Sequence, residues 1–135
     1  MDNVAMLDAH GPEARSVLVV EDDPLLRFML CDLLRAEGLV VVEAANAEEA
    51  LGALAAGLDV AVVFTDVQMP GAFDGLELSR RLQASYPDVP VIVTSGHLDA
   101  ALLAVGIPYL PKPYVPTKAV GLILSVLARR HAHGG

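Results

Sequence analysis

The stretch VVFTDVQMPG, residues 62–71, joins a strand pattern to an acidic residue and a turn. Four residues that favour a buried strand precede Asp66, and Pro70-Gly71 then ends regular structure. Asp66 is therefore predicted at the carboxyl end of a strand, where open α/β sheets bind ligands. An aspartate there either caps the following turn or helix, or acts as a metal ligand or nucleophile. Partners at other strand ends would favour the second role.

The remaining sequence predicts four more strands that alternate with helices. The predicted strands cover residues 16–21, 39–43, 60–65, 90–94 and 108–110. The predicted helices cover residues 24–38, 46–56, 74–86, 98–105 and 116–130, and the fourth of them holds only about two turns. Gly38 is predicted to end the first helix, and Asn46 and Asp74 are predicted to cap the second and third. Five strands alternating with five helices predict an α/β fold, a doubly wound parallel sheet with right-handed crossovers.

The length of 135 residues predicts one domain, and the lack of any period in residues 1–15 predicts a flexible N-terminal arm. We expect the folded domain at 16–131 and a short tail at 132–135. The single Cys31 stands among apolar residues and is predicted to lie in the core. No apolar run is long enough for a signal peptide or a membrane span, so a cytoplasmic protein is expected.

The net charge of −8 disfavours nucleic acid and acidic membranes as partners, because both repel a protein of that sign. A protein or a small ligand is the more plausible partner.

Polar residues stand at or just after four of the predicted strands. In a parallel sheet all carboxyl ends lie on one edge, so these side chains should converge. They are Glu21, Asp22, Asp66, Thr94 and Lys112. Taken singly, each has a commoner structural role, as a helix start, a turn former or a surface charge. Their shared position in one fold favours a site.

Three carboxylates brought together repel one another unless a cation joins them. Oxygen ligands without Cys or His suit Mg²⁺ or Mn²⁺ rather than zinc. With a metal bound, Asp66 could act as a nucleophile toward a phosphoryl group. Lys112 would supply an ammonium and Thr94 a hydroxyl to the phosphoryl oxygens.

In these motifs the chain resembles the response-regulator receiver domains of two-component signalling. The motifs occur in order from Val17 to about Arg130: an acidic run after VLVV, the Asp66 stretch, Val93-Thr94-Ser95, and Tyr109 with Lys112-Pro113. The resemblance implies a flavodoxin-like strand order, 2-1-3-4-5.

The resemblance also implies residue roles. Asp66 would accept a phosphoryl group from a sensor histidine kinase or phosphotransfer protein. Asp22, Asp66 and the Gln68 backbone carbonyl would bind Mg²⁺, with Glu21 acting through water. Thr94 and Lys112 would hold the phosphoryl group, Thr94 and Tyr109 would form the switch, and Lys112-Pro113 would be a cis peptide.

Three features depart from the family pattern. Glu21 stands where Asp is usual, and Ala72-Phe73 lengthens the loop after Pro70. Only seventeen residues separate Thr94 from Lys112, so the fourth helix should be short or irregular. The usual output mechanism of the family therefore does not transfer directly.

The resulting hypothesis is a stand-alone receiver that catalyses only its own phosphorylation and hydrolysis, and is no enzyme toward other substrates. The alternative is a metal-dependent phosphatase or phosphotransferase with an aspartyl-phosphate intermediate, which would usually need a second acid where Gln68 stands. A flavin-binding fold is disfavoured by the acids at the phosphate site.

Output would pass to an unknown downstream protein, a homodimer or another phosphate carrier. The last helix carries a predicted core stripe of Val120, Ile123, Leu124 and Leu127. A second apolar side, made of Ala119, Leu122 and Val126, predicts either a docking surface or packing against the short fourth helix.

Overall fold

The computed structural model describes residues 15–69, 75–96 and 107–134. Within these ranges a five-stranded parallel sheet has the order β2-β1-β3-β4-β5. The strands are β1 Ser16–Val20, β2 Val40–Ala44, β3 Val60–Asp66, β4 Val91–Ser95 and β5 Tyr109–Pro111. The helices in the described ranges are α1 Pro24–Ala36, α2 Ala47–Ala55, α3 Gly75–Ser85 and α4 Pro116–Gly134. The predicted doubly wound sheet and its strand order are confirmed.

Several predictions fall outside the described residues. They include most of the N-terminal arm at 1–15, the short helix at 98–105, the Asp74 cap and the lengthened loop after Pro70.

The core has two apolar layers, one on each face of the sheet. Strand β1 is buried along its whole length, and its side chains alternate between the layers. Leu18 and Val20 belong to the layer with residues of α2 and α3, whereas Val17 and Val19 belong to the layer with α1 and α4. A strand covered on both faces needs apolar residues at every position, which explains the unbroken run VLVV.

Local signals set the start and end of the first two helices. The Asp23 side chain accepts hydrogen bonds from the backbone N–H groups of Leu25 and Leu26, at 3.0 and 3.2 Å, and Pro24 occupies the first turn of α1. The chain leaves α1 through Gly38, whose φ of +87° favours glycine. The Asn46 side chain caps α2 through the Glu49 N–H at 2.8 Å, as predicted.

Of the two alternatives predicted for the second apolar side of the last helix, the docking surface is wrong. Ala119 and Val126 are buried in the core of the same chain, and Leu122 is half-buried against that core. Helix α4 is apolar around most of its circumference, so its sequence did not show which side faces the sheet. The small Ala119 side chain suits the inner side, where a helix approaches its neighbours closely.

None of the helices in the described ranges combines the length and apolar character that a membrane crossing requires.

Candidate functional site

The sheet brings the predicted site residues to one edge. Asp66 is the last residue of β3 and is paired in register with Thr94 of β4. Glu21 directly follows β1, and Lys112 directly follows β5. The carboxyl edge therefore gathers groups that lie up to 91 positions apart in the chain, from Glu21 to Lys112.

Both side-chain oxygens of Asp66 have partners. The Lys112 Nζ lies 2.6 Å from Oδ2, and the Gln68 backbone N–H donates to Oδ1 over 3.1 Å. The side chain is almost fully buried. Its backbone is also held, because the Thr65 hydroxyl donates to the Asp66 carbonyl over 3.0 Å. Asp66 is thus a fixed carboxylate with an ammonium at one oxygen.

Glu21, Asp22 and Asp66 form an acidic cluster in which one carboxylate oxygen of each lies within 4.8 Å of the others. Glu21 is buried and Asp22 is exposed. The Glu21 Oε2 accepts a hydrogen bond from the Asp23 N–H at 3.1 Å. Its Oε1 is buried without a hydrogen bond, and the Lys112 ammonium stands 3.5 Å away.

This donor set fits a hard divalent cation. Its ligands are carboxylate oxygens, which suit Mg²⁺ or Mn²⁺. A buried carboxylate oxygen without a hydrogen-bond donor is costly, and a cation between the three acids would satisfy it.

Burial and charge shift two pKa values at the site. Burial is the main cause that raises the pKa of Glu21 to about 7. The hydrogen bond from the Asp23 N–H lowers this pKa, the negative charge of Asp66 raises it further, and the positive charge of Lys112 lowers it. Burial alone would lower the pKa of Lys112, but the hydrogen bond to Asp66 and the charge of Glu21 outweigh it, so this pKa is raised. Lys112 is therefore cationic at neutral pH, and Glu21 readily holds a proton when no other cation is near.

The β4 and β5 ends position Lys112 and the predicted switch residues. The Lys112 N–H donates to the Ser95 carbonyl over 2.8 Å, and the half-buried Tyr109 hydroxyl donates to the same carbonyl over 3.0 Å. The peptide bond between Lys112 and Pro113 is cis, as the resemblance implied. The Thr94 hydroxyl is buried without a hydrogen bond.

The sequence reasoning missed Gly75, the first residue of α3. Its N–H donates to the Val67 carbonyl over 2.9 Å. A Cβ at this position would collide with the Asp66 carbonyl group and lie 2.9 Å from the Val67 Cα. Only glycine lets the helix approach the Asp66–Val67 peptide so closely, and no local sequence pattern indicates that approach.

Two further residues were missed because their roles depend on tertiary contacts. Arg27 of α1 donates from Nη1 to the Glu21 carbonyl over 2.7 Å. Tyr114 packs edge-on against Phe64, with ring centroids 5.8 Å apart and planes at 81°. Burial, together with the charges of Glu21 and Asp66, raises the pKa of Tyr114, so its phenol stays neutral.

Large apolar side chains are exposed on α1 and just before α4. Leu25, Phe28 and Met29 of α1 and Val115 before α4 are the large exposed hydrophobic residues of the described ranges. Leu25 and Met29 also line a groove that reaches Lys112. The other residues of that groove are Asp23, Leu26, Gly96, Pro113 and Tyr114.

Comparison with known protein families gives the class of this molecule. The family described as "Response regulator receiver domain" matches residues 17–120, well over half of the chain. The chain belongs to this family, the receiver domains of two-component systems.

Curated relatives agree with this assignment. The chain is 38% identical over 112 residues to the DNA-binding transcriptional regulator NtrC of Salmonella typhimurium, covering 79% of this chain and 24% of that protein. It is 34% identical over 128 residues to the transcriptional regulatory protein FixJ of Azorhizobium caulinodans, covering 91% of this chain and 60% of FixJ. The chain thus spans about a quarter of NtrC and less than two thirds of FixJ.

Solved structures share the fold. A CheY-like receiver domain protein from Methanospirillum hungatei superimposes with a TM-score of 0.80 at 23% identity, covering 90% of this chain and 99% of the other. The response regulator TrrA from Thermotoga maritima, solved in complex with Mg²⁺-BeF, has a TM-score of 0.73 at 26% identity. That match covers 83% of this chain and 98% of TrrA.

Proposed function

We propose that this receiver domain accepts a phosphoryl group on Asp66 in a Mg²⁺-dependent reaction. The donor would be a phosphohistidine on a sensor kinase or phosphotransfer protein. The observation that carries the proposal is the Asp66 carboxylate, which contacts the Lys112 ammonium at 2.6 Å and clusters with the acids Glu21 and Asp22. TrrA, a relative of the same family, was solved with Mg²⁺-BeF.

The chemistry follows from the groups around the acceptor. A carboxylate oxygen of Asp66 would form the new P–O bond as the P–N bond of the phosphohistidine breaks, and the donor imidazole would take the bonding electrons. Lys112, at 2.6 Å from the acceptor carboxylate, is placed to neutralise charge on the oxygens of the transferred group. The Thr94 hydroxyl, buried without a hydrogen bond, is available as a donor to the same oxygens.

Glu21, Asp22, Asp66 and the Gln68 carbonyl would hold the metal. When bound, Mg²⁺ supplies positive charge that offsets the carboxylates and the incoming phosphoryl group.

Incubation with acetyl phosphate and Mg²⁺, followed by intact-mass measurement, tests the acceptor. We expect one phosphoryl group on the wild type and none on Asp66→Asn, which loses the nucleophilic oxygen. A single phosphorylation that survives in Asp66→Asn would refute the assignment of the acceptor. Rapid multiple turnover of added phosphoesters would favour the phosphatase alternative.

The exposed apolar side chains of α1 support a protein as the phosphoryl donor. Phe28 is 63% exposed and Leu25 is 67% exposed, on the helix whose N-terminal end borders the acidic cluster. Apolar side chains exposed beside a reactive site are typical of protein interaction surfaces. We infer that the donor protein covers this part of α1.

The donor surface can be tested separately from the chemistry. Phe28→Glu should slow phosphotransfer from a phosphohistidine protein by at least about tenfold, which corresponds to about 1.4 kcal/mol of lost binding. Phosphorylation by acetyl phosphate should not change, because the acceptor is intact. Ala55→Glu is the control, since it adds the same charge at an exposed position of α2, which packs on the other face of the sheet. Equal transfer to both variants would contradict a donor surface on α1.

Output is proposed to pass through contacts with another protein, through a homodimer or through transfer of the phosphoryl group to another carrier. The net charge of −8 supports a protein partner over nucleic acid. Phosphorylated and Asp66→Asn protein, compared as baits, would separate partners that need the phosphoryl group from those that do not.

A further inference from the structure

A charged network beside the site has no part in the chemistry proposed above. Arg27 of α1 reaches two groups at once: its Nη1 donates to the Glu21 carbonyl over 2.7 Å, and its Nε pairs with Glu43 Oε1 at 3.1 Å. Its side chain is only 20% exposed. Arg27 thus ties α1 to β2 and to the residue at which β1 enters the acidic cluster.

A second arginine of the same helix makes matching contacts away from the site. Arg35 Nη1 pairs with Glu43 Oε2 at 3.1 Å, and Arg35 Nη2 donates to the Val41 carbonyl over 3.2 Å. Each arginine therefore holds one oxygen of Glu43 and one backbone carbonyl. The difference is that the carbonyl held by Arg27 belongs to a residue of the acidic cluster.

Residue Glu21 is fixed at both ends of its backbone. Its N–H donates to the Ala44 carbonyl over 3.0 Å, and its C=O accepts from Arg27. That carbonyl belongs to the peptide joining Glu21 to Asp22, so its direction sets where the Asp22 side chain leaves the backbone. Asp22 is exposed, so packing does little to hold its direction.

We propose that Arg27 is a positioning residue for the metal site, acting through the Glu21 carbonyl. The inference rests on the proposed Mg²⁺ site and extends it to a residue that touches neither the metal nor the phosphoryl group. Residues that hydrogen-bond to metal ligands and so fix their direction affect metal affinity strongly. A ligand that can rotate freely loses conformational entropy when it binds the metal.

Titration of the protein with MgCl₂, followed by the NMR signals of backbone amides, measures the affinity without any phosphorylation. Arg27→Gln should raise the Kd for Mg²⁺ by about tenfold, the lower end of the range seen when such partners are removed. Arg35→Gln is the matched control, since it also breaks one Glu43 ion pair and one carbonyl hydrogen bond. Its Kd should stay within about twofold of the wild type, because it does not contact the cluster.

The results separate the two proposals. A wild type without saturable Mg²⁺ binding would refute the proposed metal site itself. A wild type that binds, with equal Kd values for Arg27→Gln and Arg35→Gln, would overturn the role of Arg27 alone. Thermal melting of both variants is the control for stability. The two variants should lose similar stability, so that a difference in Kd between them reflects the metal site.

The conservative variant adds a second test, which also serves if Arg27→Gln does not fold. A lysine ammonium cannot span both acceptors as the planar guanidinium does. The Kd of Arg27→Lys for Mg²⁺ should therefore lie between those of the wild type and Arg27→Gln. If Arg27→Gln does not fold, the Kd of Arg27→Lys should still be higher than that of the wild type. A wild-type Kd in Arg27→Lys would count against positioning through the two contacts.

Discussion

Two buried residues of strand β4 differ in what they contribute to the fold. Ile92 and Thr94 are two positions apart, so they point to the same face of the sheet, and both are fully buried. Ile92 packs within an apolar layer, whereas the Thr94 hydroxyl is buried without a hydrogen bond. One end of the strand therefore stabilises the domain, and the other end keeps an unsatisfied polar group.

The same division runs across the sheet. The interior parts of β1, β3 and β4 are apolar, and the carboxyl edge buries polar side chains. These are Glu21, Thr65, Asp66, Thr94 and Ser95. Burying apolar surface is favourable, whereas burying a polar atom without a hydrogen bond, as at the Thr94 hydroxyl and Glu21 Oε1, lowers stability. Stability thus comes mainly from the interior of the strands, and the proposed chemistry from their carboxyl ends.

The largest expected effect on stability comes from the interior. Ile92→Ala should lower the free energy of unfolding by about 2–5 kcal/mol, because it leaves a cavity in a fully buried layer. Urea denaturation measures this loss, and acetyl phosphate labelling of the folded variant should proceed at the wild-type rate. If the labelling rate of the folded variant also fell, the interior and the carboxyl edge would not act independently.

At the edge, Lys112→Ala should affect the chemistry most among the supporting residues. Phosphorylation by acetyl phosphate should slow by about 10²–10³-fold, as when a preorganised donor to a developing negative charge is removed. Quench-flow or mass measurements at saturating Mg²⁺ give the rate. Lys118→Ala removes an exposed lysine on α4 and should leave the rate unchanged. Similar rates for both variants would remove Lys112 from the proposed mechanism.

Thr94→Val tests whether the unpaired hydroxyl at the carboxyl edge of the sheet lowers the stability of the domain. Because the hydroxyl is buried without a hydrogen bond, its replacement by a methyl group should raise the free energy of unfolding by about 1–3 kcal/mol. Phosphorylation should slow, since a proposed donor is lost.

Thr65→Val is the matched control for Thr94→Val. Thr65 is equally buried, but its hydroxyl donates to the Asp66 carbonyl, so its replacement should destabilise the domain. Destabilisation of both variants would show that the Thr94 hydroxyl contributes to folding.

The last prediction concerns the pH dependence of stability without divalent metal. The pKa of Glu21 is about 7 in the folded chain against an ordinary value of 4.5. A raised pKa means that protonation of Glu21 contributes stability that is fully present below pH 4.5 and lost as the pH rises through about 7. Glu21→Gln, measured in EDTA, should remove this loss. An unchanged pH profile in the variant would mean that Glu21 is not the group responsible.

The sequence was most informative where one residue pattern has one structural solution. The unbroken run VLVV can be buried only in a central strand, and acids and a lysine after separate strands must meet at one edge of a parallel sheet. The strand order itself came from the family resemblance. Asn46 and Gly38 show why helix ends were also predictable, since each acts through its own backbone neighbours.

The sequence was least informative where a role depends on which elements pack together. Helix α4 is apolar on most sides, so its buried stripe was assigned wrongly at Ala119 and Val126. Arg27 resembles an ordinary charged residue on a helix until β1 and β2 are placed beside it. The role of Gly75 likewise becomes visible only when α3 is placed against the peptide between Asp66 and Val67.

The close approach of Gly75 also limits how the acceptor could be transplanted. Since the start of α3 rests on the peptide of Asp66, moving residues 62–69 alone into another parallel sheet would leave that peptide unsupported on one side. A successful graft would have to carry the glycine and the first turn of its helix along with the strand. The smallest portable unit of this site is therefore a strand, a loop and a helix start, not a single loop.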